Sequence, residues 1–196
     1  MNLVFDIDGT LTEPHQSVAW DIRPLTRIHD VFLCSGARYE QIVEQVPEAR
    51  EMRVFSCMGN EYHHAGVVKH CQHHRFKADL LAVLWRAGGI IEYRPSMLNV
   101  RVDPDLNWRR TFCANINSRF GDYDCMVGGT RSVDVVPRGR GKEQIANEIG
   151  SFVYFGDRIF PGGNDWELAQ RASTFHNVSG PQETREILAR EYACPI

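Results

Sequence analysis

One stretch constrains this chain more than any other: Val4-Phe5-Asp6-Ile7-Asp8-Gly9-Thr10-Leu11-Thr12, at the very start. The apolar run Leu3-Val4-Phe5 reads as a buried strand, and Gly9 lets the backbone turn away at once. Side chains alternate along a strand, so Asp6 and Asp8 share a face if the extended backbone continues. Open parallel sheets bind ligands outside the carboxyl ends of their strands, which is where both acids fall. Two like charges held that close are costly unless a cation or a proton lies between them. Taken alone, D-x-D-G also describes a strand end with two solvated aspartates, so the rest of the chain has to decide.

Downstream, strand and helix patterns alternate. Glu13 to Ser17 is a polar, proline-marked loop, and Asp30-Val31-Phe32-Leu33-Cys34 is an apolar run that stops at Ser35-Gly36. Ile42, Val43 and Val46 give helical spacing over 39–46, which Pro47 ends. Strand, small polar turn and helix make a βα unit, so Ser35 lands on the same sheet edge as Asp8. A serine there is also a common helix cap. A third strand is expected over 52–58, then a hairpin of 62–64 and 67–70 about Ala65-Gly66. Histidines crowd this stretch (His63, His64, His70, His73 and His74, beside Cys71). They have no clean zinc-ligand spacing and alternate between faces, so solvated hairpin residues near a domain junction are expected.

From Phe76 the texture changes. A helix over 76–87, carrying Leu80, Leu81, Val83 and Leu84, stops at Gly88-Gly89. Strands over 90–94 and 97–102 flank Pro95-Ser96, and a helix over 108–120 stops at Gly121, with Trp108-Arg109-Arg110 as its start. Strands over 123–127 and 132–136 follow, about Gly128-Gly129. The order αββαββ describes a small open-faced sandwich, distinct from the βα units before it. After Pro137 to Gly141, a helix opens at Lys142 and runs to 149, and a buried strand over 151–155 leads into Gly156-Asp157. A glycine-rich loop then reaches Asn164-Asp165, followed by a helix (166–172), a strand (173–178) and a last helix (183–192). The fold class expected is α/β: a Rossmann-like core with a parallel sheet, residues 1–75 and 138–196, and an inserted α+β cap, residues 76–137.

Composition excludes several classes. Net charge is only -3 with acids and bases mixed, so neither nucleic acid nor an anionic membrane is an expected partner. No apolar run approaches a membrane span, and no basic region with an apolar signal core precedes the first strand. Cys34, Cys57, Cys71, Cys113, Cys125 and Cys194 lack C-x-x-C spacing and read as reduced thiols of a cytoplasmic protein. A homodimer stays open.

Four polar elements should converge at strand ends: Asp6 with Asp8, Ser35, Lys142, and Asp157 with Asn164 and Asp165. In this order they resemble the four signature elements of the haloacid dehalogenase superfamily of phosphotransferases, and the resemblance spans the chain. The αββαββ insertion resembles that superfamily's C2-type cap. Within this group the chain is most similar to phosphomannomutases and related sugar-phosphate phosphatases. Asp6 to Thr12, Gln16, Arg94 with Met97-Leu98-Asn99-Val100, Ser132-Val133-Asp134-Val135 and Gly156-Asp157 through Asn164-Asp165 carry that likeness. The six-residue gap from Asp157 to Asn164 is the mutase-like spacing.

The resemblance implies Asp6 as nucleophile, forming an aspartyl-phosphate, and Asp8 as the acid and base that serves the leaving oxygen and then water. A carboxylate facing a phosphate dianion is repelled, so a hard divalent cation is needed, and oxygen ligands imply magnesium. Its implied ligands are Asp6, the Asp8 carbonyl and Asp157, with Asn164 and Asp165 orienting them. Ser35 and Lys142 are implied to hold the transferring phosphoryl oxygens. A lysine in a first helical turn sits poorly with the helix dipole, which favours a functional reason for Lys142. Gly36, Arg94, Asn99, Ser132 and Asp134 are candidate contacts to a small phosphorylated metabolite, with Arg101 and Arg131 as weaker cap candidates.

The activity expected is hydrolysis of a sugar phosphate, with a phosphohexomutase as the alternative. A mutase needs a second cationic site on the cap, where the family pattern has an arginine past Met-Leu-Asn-Val. Here Arg101-Val102-Asp103-Pro104-Asp105 is acidic, and Ser35-Gly36-Ala37-Arg38 looks like the phosphatases. A third class, an inactive phosphosugar-binding module, predicts loss of Asp6, Asp8 or Asp157, and all three are present.

Overall fold

The two hydrophobic patterns fold into two sheets, described over residues 1–193 of a computed structural model. The chain opens with β1 (Asn2–Phe5), α1 (Arg23–Ile28), β2 (Asp30–Cys34), α2 (Tyr39–Gln45), β3 (Arg53–Ser56), β4 (Glu61–His64) and β5 (Val67–Cys71). Next come α3 (Ala78–Arg86), β6 (Ile90–Arg94), β7 (Met97–Arg101), α4 (Leu106–Arg119), β8 (Tyr123–Val127) and β9 (Ser132–Pro137). It closes with α5 (Ala146–Ile149), β10 (Phe152–Gly156), α6 (Trp166–Ala169), β11 (Thr174–Asn177) and α7 (Pro181–Glu191).

The larger sheet has the order β11-β10-β1-β2-β3-β4-β5, parallel as far as β3 and antiparallel beyond it. Leu3, Val4 and Phe5 are fully buried, as expected for a central strand covered on both faces. From β1 the chain builds outward to β2 and β3 on one side and later to β10 and β11 on the other. The crevice outside the carboxyl ends of β1 and β10 is therefore the topological switch point, where α/β sheets take their ligands. The hairpin of β4 and β5 extends this sheet, and His64, His73 and His74 are exposed, as expected of solvated residues. His63 is buried and stacks on Tyr39, ring centroids 3.7 Å apart.

The second sheet, β6-β7-β9-β8, is antiparallel and lies between β5 and β10 in the sequence. Period-two alternation sorts its faces. Leu98, Val100, Val127, Val133 and Val135 point to α3 and α4, where they form a core with Leu80, Leu84, Cys113 and Ile116. Asn99 pairs with Asp134 and Met126 with Asp134 across the strands, so these residues share the opposite face. That face meets the main sheet, with Met97, Met126 and Val136 packed on Cys57 and Met58.

Several boundaries differ from expectation for physical reasons. β3 stops at Ser56 because Cys57 and Met58 adopt positive φ, 50° and 62°, which bends the chain beneath the cap. α4 begins at Leu106, since the Asp105 carboxylate accepts the free Trp108 N–H at 2.7 Å. Arg109, in the first turn of α4, is buried and donates to the carbonyls of Gly129 and Ser132. Lys142 opens a 3₁₀ turn, Lys142–Ile145, before α5 rather than one continuous helix. Cys34, Cys57, Cys71, Cys113 and Cys125 are free thiols, and Cys194 lies outside the described residues. Among the described residues, no helix is long and apolar enough to cross a membrane.

Candidate active site

β1 ends where its sequence turns acidic, and the Asp6 N–H still donates to Phe155 O at 2.9 Å, which holds the turn beside β10. The Asp6 side chain meets Lys142 there, Nζ to Oδ1 2.5 Å, and the same ammonium lies 2.6 Å from Asp165 Oδ1. Asp165, fully buried, also accepts from the Tyr154 hydroxyl at 2.5 Å and from the Arg158 N–H at 2.9 Å. Asp157 pairs with Arg158 at 3.1 Å. One oxygen each from Asp6, Asp157 and Asp165 lies within 4.8 Å of the others. Among the described residues this is the one convergent group of three or more possible metal-ligating side chains, so the histidine stretch forms none.

The turn after Asp8 permits this approach. Gly9 has φ +80°, and a Cβ there would fall 2.7 Å from Asp157 Oδ2. Glycine is thus required on two counts, backbone conformation and space.

The electrostatics record a shortage of positive charge. Burial pushes the Asp6 carboxyl well above the usual carboxylate range; Lys142 opposes this, while Asp165 and Asp157 add to it. Burial likewise raises Asp157 to about 6, with Asp165 adding and Arg158 opposing. Burial disfavours the Lys142 ammonium, yet Asp165 and Asp6 outweigh it and hold its pKa well above normal. Lys142 is therefore charged, and the carboxylates still exceed their counter-charges.

Asp8 faces away from that cluster. Its Oδ1 accepts the His15 backbone N–H and the Gln45 amide, both at 2.7 Å. Ser35 is buried at the end of β2 and accepts the Ala37 N–H at 3.1 Å, while Arg38 occupies the cap position of α2. Asp6, Asp8, Ser35, Gly36, Arg94, Asn99, Ser132, Asp134, Asp157 and Asn164 line one cavity of about 250 Å³ between the sheets. Lys142 and Asp165 lie behind Asp6. Asn164 reaches Asp134 on the cap at 3.1 Å, rather than the three acids.

On the cap side, Asp134 is buried and accepts Asn99 Nδ2 at 2.8 Å, and burial raises its pKa. Arg94 donates to Glu92 through Nε at 2.9 Å and Nη2 at 2.6 Å, and to the Gly36 carbonyl at 2.6 Å. Arg101 and Arg131 line a separate depression with Trp108 and so do not face Asp6. His15, Gln45, Thr130 and Arg158 border the cavity too, and sequence reasoning passed over them. The i, i+4 spacing of Gln41 and Gln45 on α2, next to the Ser35 edge, was the available signal for one of them.

A parallel sheet with its acid pair at the switch point, a serine and lysine from neighbouring elements and an inserted antiparallel cap make this an enzyme of the haloacid dehalogenase superfamily. The fold is shared with a haloacid dehalogenase-like hydrolase from B. subtilis, TM-score 0.74 at 11% identity, over 97% of this chain and 99% of that one. Within the superfamily, the eukaryotic phosphomannomutase family model matches residues 40–193, and the chain belongs to that family. It is 25% identical to a probable phosphomannomutase from Caenorhabditis elegans, covering 94% of this chain and 92% of the relative. To the phosphomannomutase of Galdieria sulphuraria it is 29% identical, covering 92% and 90%.

Proposed function

We propose that this protein transfers the phosphoryl group of a phosphorylated sugar to Asp6, with a divalent cation, magnesium, held by Asp6, Asp157 and the turn at Asp8. The observation that carries the proposal is the convergence of three carboxylates within 4.8 Å at the switch point. The fit to a hard cation rests on an all-oxygen donor set, on the raised Asp6 and Asp157 pKa values, and on the space Gly9 leaves beside Asp157. When bound, magnesium supplies charge that offsets the repulsion between carboxylate and phosphate.

Lys142 engages Asp6 Oδ1, which leaves the other oxygen free to attack phosphorus. The P–O bond to the sugar breaks as the Asp6–phosphorus bond forms, and Asp8 gives the departing oxygen its proton. Asp8 then takes a proton from the hydroxyl that attacks the aspartyl-phosphate, which restores both acids. Ser35 steadies the phosphoryl oxygens, and Asn99, Ser132 and Asp134 hold the sugar hydroxyls. The free thiols support a reducing compartment such as the cytoplasm.

The source of that second hydroxyl divides two readings. Family membership and the relatives' names support a hydroxyl of the sugar itself, the phosphohexomutase reaction, better than the hydrolysis first expected from the sequence. One observation favours water: the cap brings a single cation, Arg94, to the described cavity lining, and Glu92 already engages it. Hexose 1-phosphate with magnesium tests both. Hexose 6-phosphate forming faster than inorganic phosphate supports the mutase, and the reverse supports the phosphatase. Turnover by Asp6→Asn at the wild-type rate refutes both.

A further inference from the structure

The loop that carries Asp157 and Asp165 is built into the cap as firmly as into the core. Val127, at the end of β8, donates its N–H to Gly162 O at 2.8 Å and accepts the Asn164 N–H at 3.1 Å. The Asn164 amide reaches Asp134 Oδ2 at 3.1 Å. Phe160 packs against the apolar core of the cap, with the Arg110 guanidinium 4.6 Å from its ring centre. On the other side, Asp165 is fixed by Lys142, Tyr154 and the Arg158 N–H.

The stretch between these anchorages is short and stiff. Phe160 N–H donates to Arg158 O at 3.0 Å and Gly163 N–H to Phe160 O at 2.8 Å. A Cβ on Gly163 would lie 2.1 Å from the Arg158 carbonyl, so the turn has no slack at that point. A displacement of Phe160 therefore carries through to Asp157 and Asp165. Besides the apolar contact of Met97, Met126 and Val136 with Cys57 and Met58, a polar clamp of another kind joins cap and core. Arg38, Glu92 and Arg94 meet through side chains, and the Arg38–Glu92 pair is about 40% exposed, a type of contact that breaks and reforms at low cost.

We infer that Phe160 is a positioning residue that ties docking of the cap to binding of a divalent cation at Asp6, Asp157 and the turn at Asp8. The inference rests on the proposed cation site and goes beyond it in making cation and cap interdependent. Linkage is reciprocal: whatever seats the cap tightens the cation, and the cation in turn seats the cap.

The test uses the full chain with magnesium chloride as the probe. Magnesium affinity is read by calorimetry, and the opening of the bridge by hydrogen exchange at the Val127 and Asn164 amides. In the wild type, magnesium should slow exchange at both amides. Phe160→Ala should speed that exchange and weaken magnesium binding about fivefold or more, the lower range of coupling between sites. Phe160→Leu, which keeps apolar bulk against the cap, should recover most of the affinity. Unchanged magnesium affinity in Phe160→Ala, with the two amides exchanging faster, overturns the coupling and leaves the cation site standing. Wild type that binds no magnesium overturns the cation site, and the coupling with it.

Discussion

Lys142→Met isolates the electrostatics of the site without the chemistry. Methionine keeps the length and apolar stem of lysine and removes the charge. Lys142 is 1% exposed and bridges Asp6 at 2.5 Å and Asp165 at 2.6 Å, so the variant leaves two buried carboxylates without their shared partner. Breaking one side of a buried ion pair costs about 3–5 kcal/mol, which in a domain of this size lowers Tm by about 6–20 °C. Lower pH should relieve the defect. The Asp6 carboxyl, raised by burial, gives its full stability below its unfolded value of 3.8 and loses it as pH rises toward the folded value, so the gap between variant and wild type narrows as pH falls from neutrality. Thermal unfolding of both proteins in chelator, near neutrality and near pH 5, measures this. A variant that melts within about 2 °C of the wild type at both pH values refutes the assignment of Lys142 as the counter-charge.

Two further perturbations probe the surroundings. Gly9→Ala combines a left-handed backbone with a Cβ 2.7 Å from Asp157 Oδ2, so it should cost about 1–3 kcal/mol in unfolding and weaken magnesium binding in calorimetry. Glu92 is pulled down to about 2 by hydrogen bonds from Arg94, against the opposing effect of burial, with Arg38 helping. A depressed carboxylate stabilises above its unfolded value, here 4.5, and loses that contribution as pH falls toward about 2. The difference in melting temperature between wild type and Glu92→Gln should therefore be full at neutrality and shrink as pH drops below 4.5.

The sheet core and the αββαββ insertion were legible because their apolar residues repeat with the period of the element they form. β2, β6 and β8 match their expected bounds, since turn residues punctuate each one. α1 was not legible: six residues, Arg23–Ile28, bury only Leu25 and carry too little pattern to register. The positive φ at Met58 was equally hidden, because the residue itself is not a glycine. At the site, the residue types and their order showed which elements converge, and Asp6, Lys142, Asp157 and Asp165 do meet. Side-chain direction was beyond reach. Asn164 turns to the cap, Gln45 reaches Asp8 across 37 positions, and Arg109 is buried by partners some 20 residues away. Such contacts depend on tertiary packing, which local periodicity does not encode.

The central claim is that Asp6 carries the phosphoryl group. It is tested most directly by acid-quenching the enzyme within milliseconds of mixing with a sugar phosphate and magnesium, then mapping the modified peptide by mass spectrometry. The peptide containing Asp6 should gain the mass of one phosphoryl group on that residue, and the gain should vanish in Asp6→Asn and in chelator. A phosphoryl group found on another residue, or persisting in Asp6→Asn, would contradict the account.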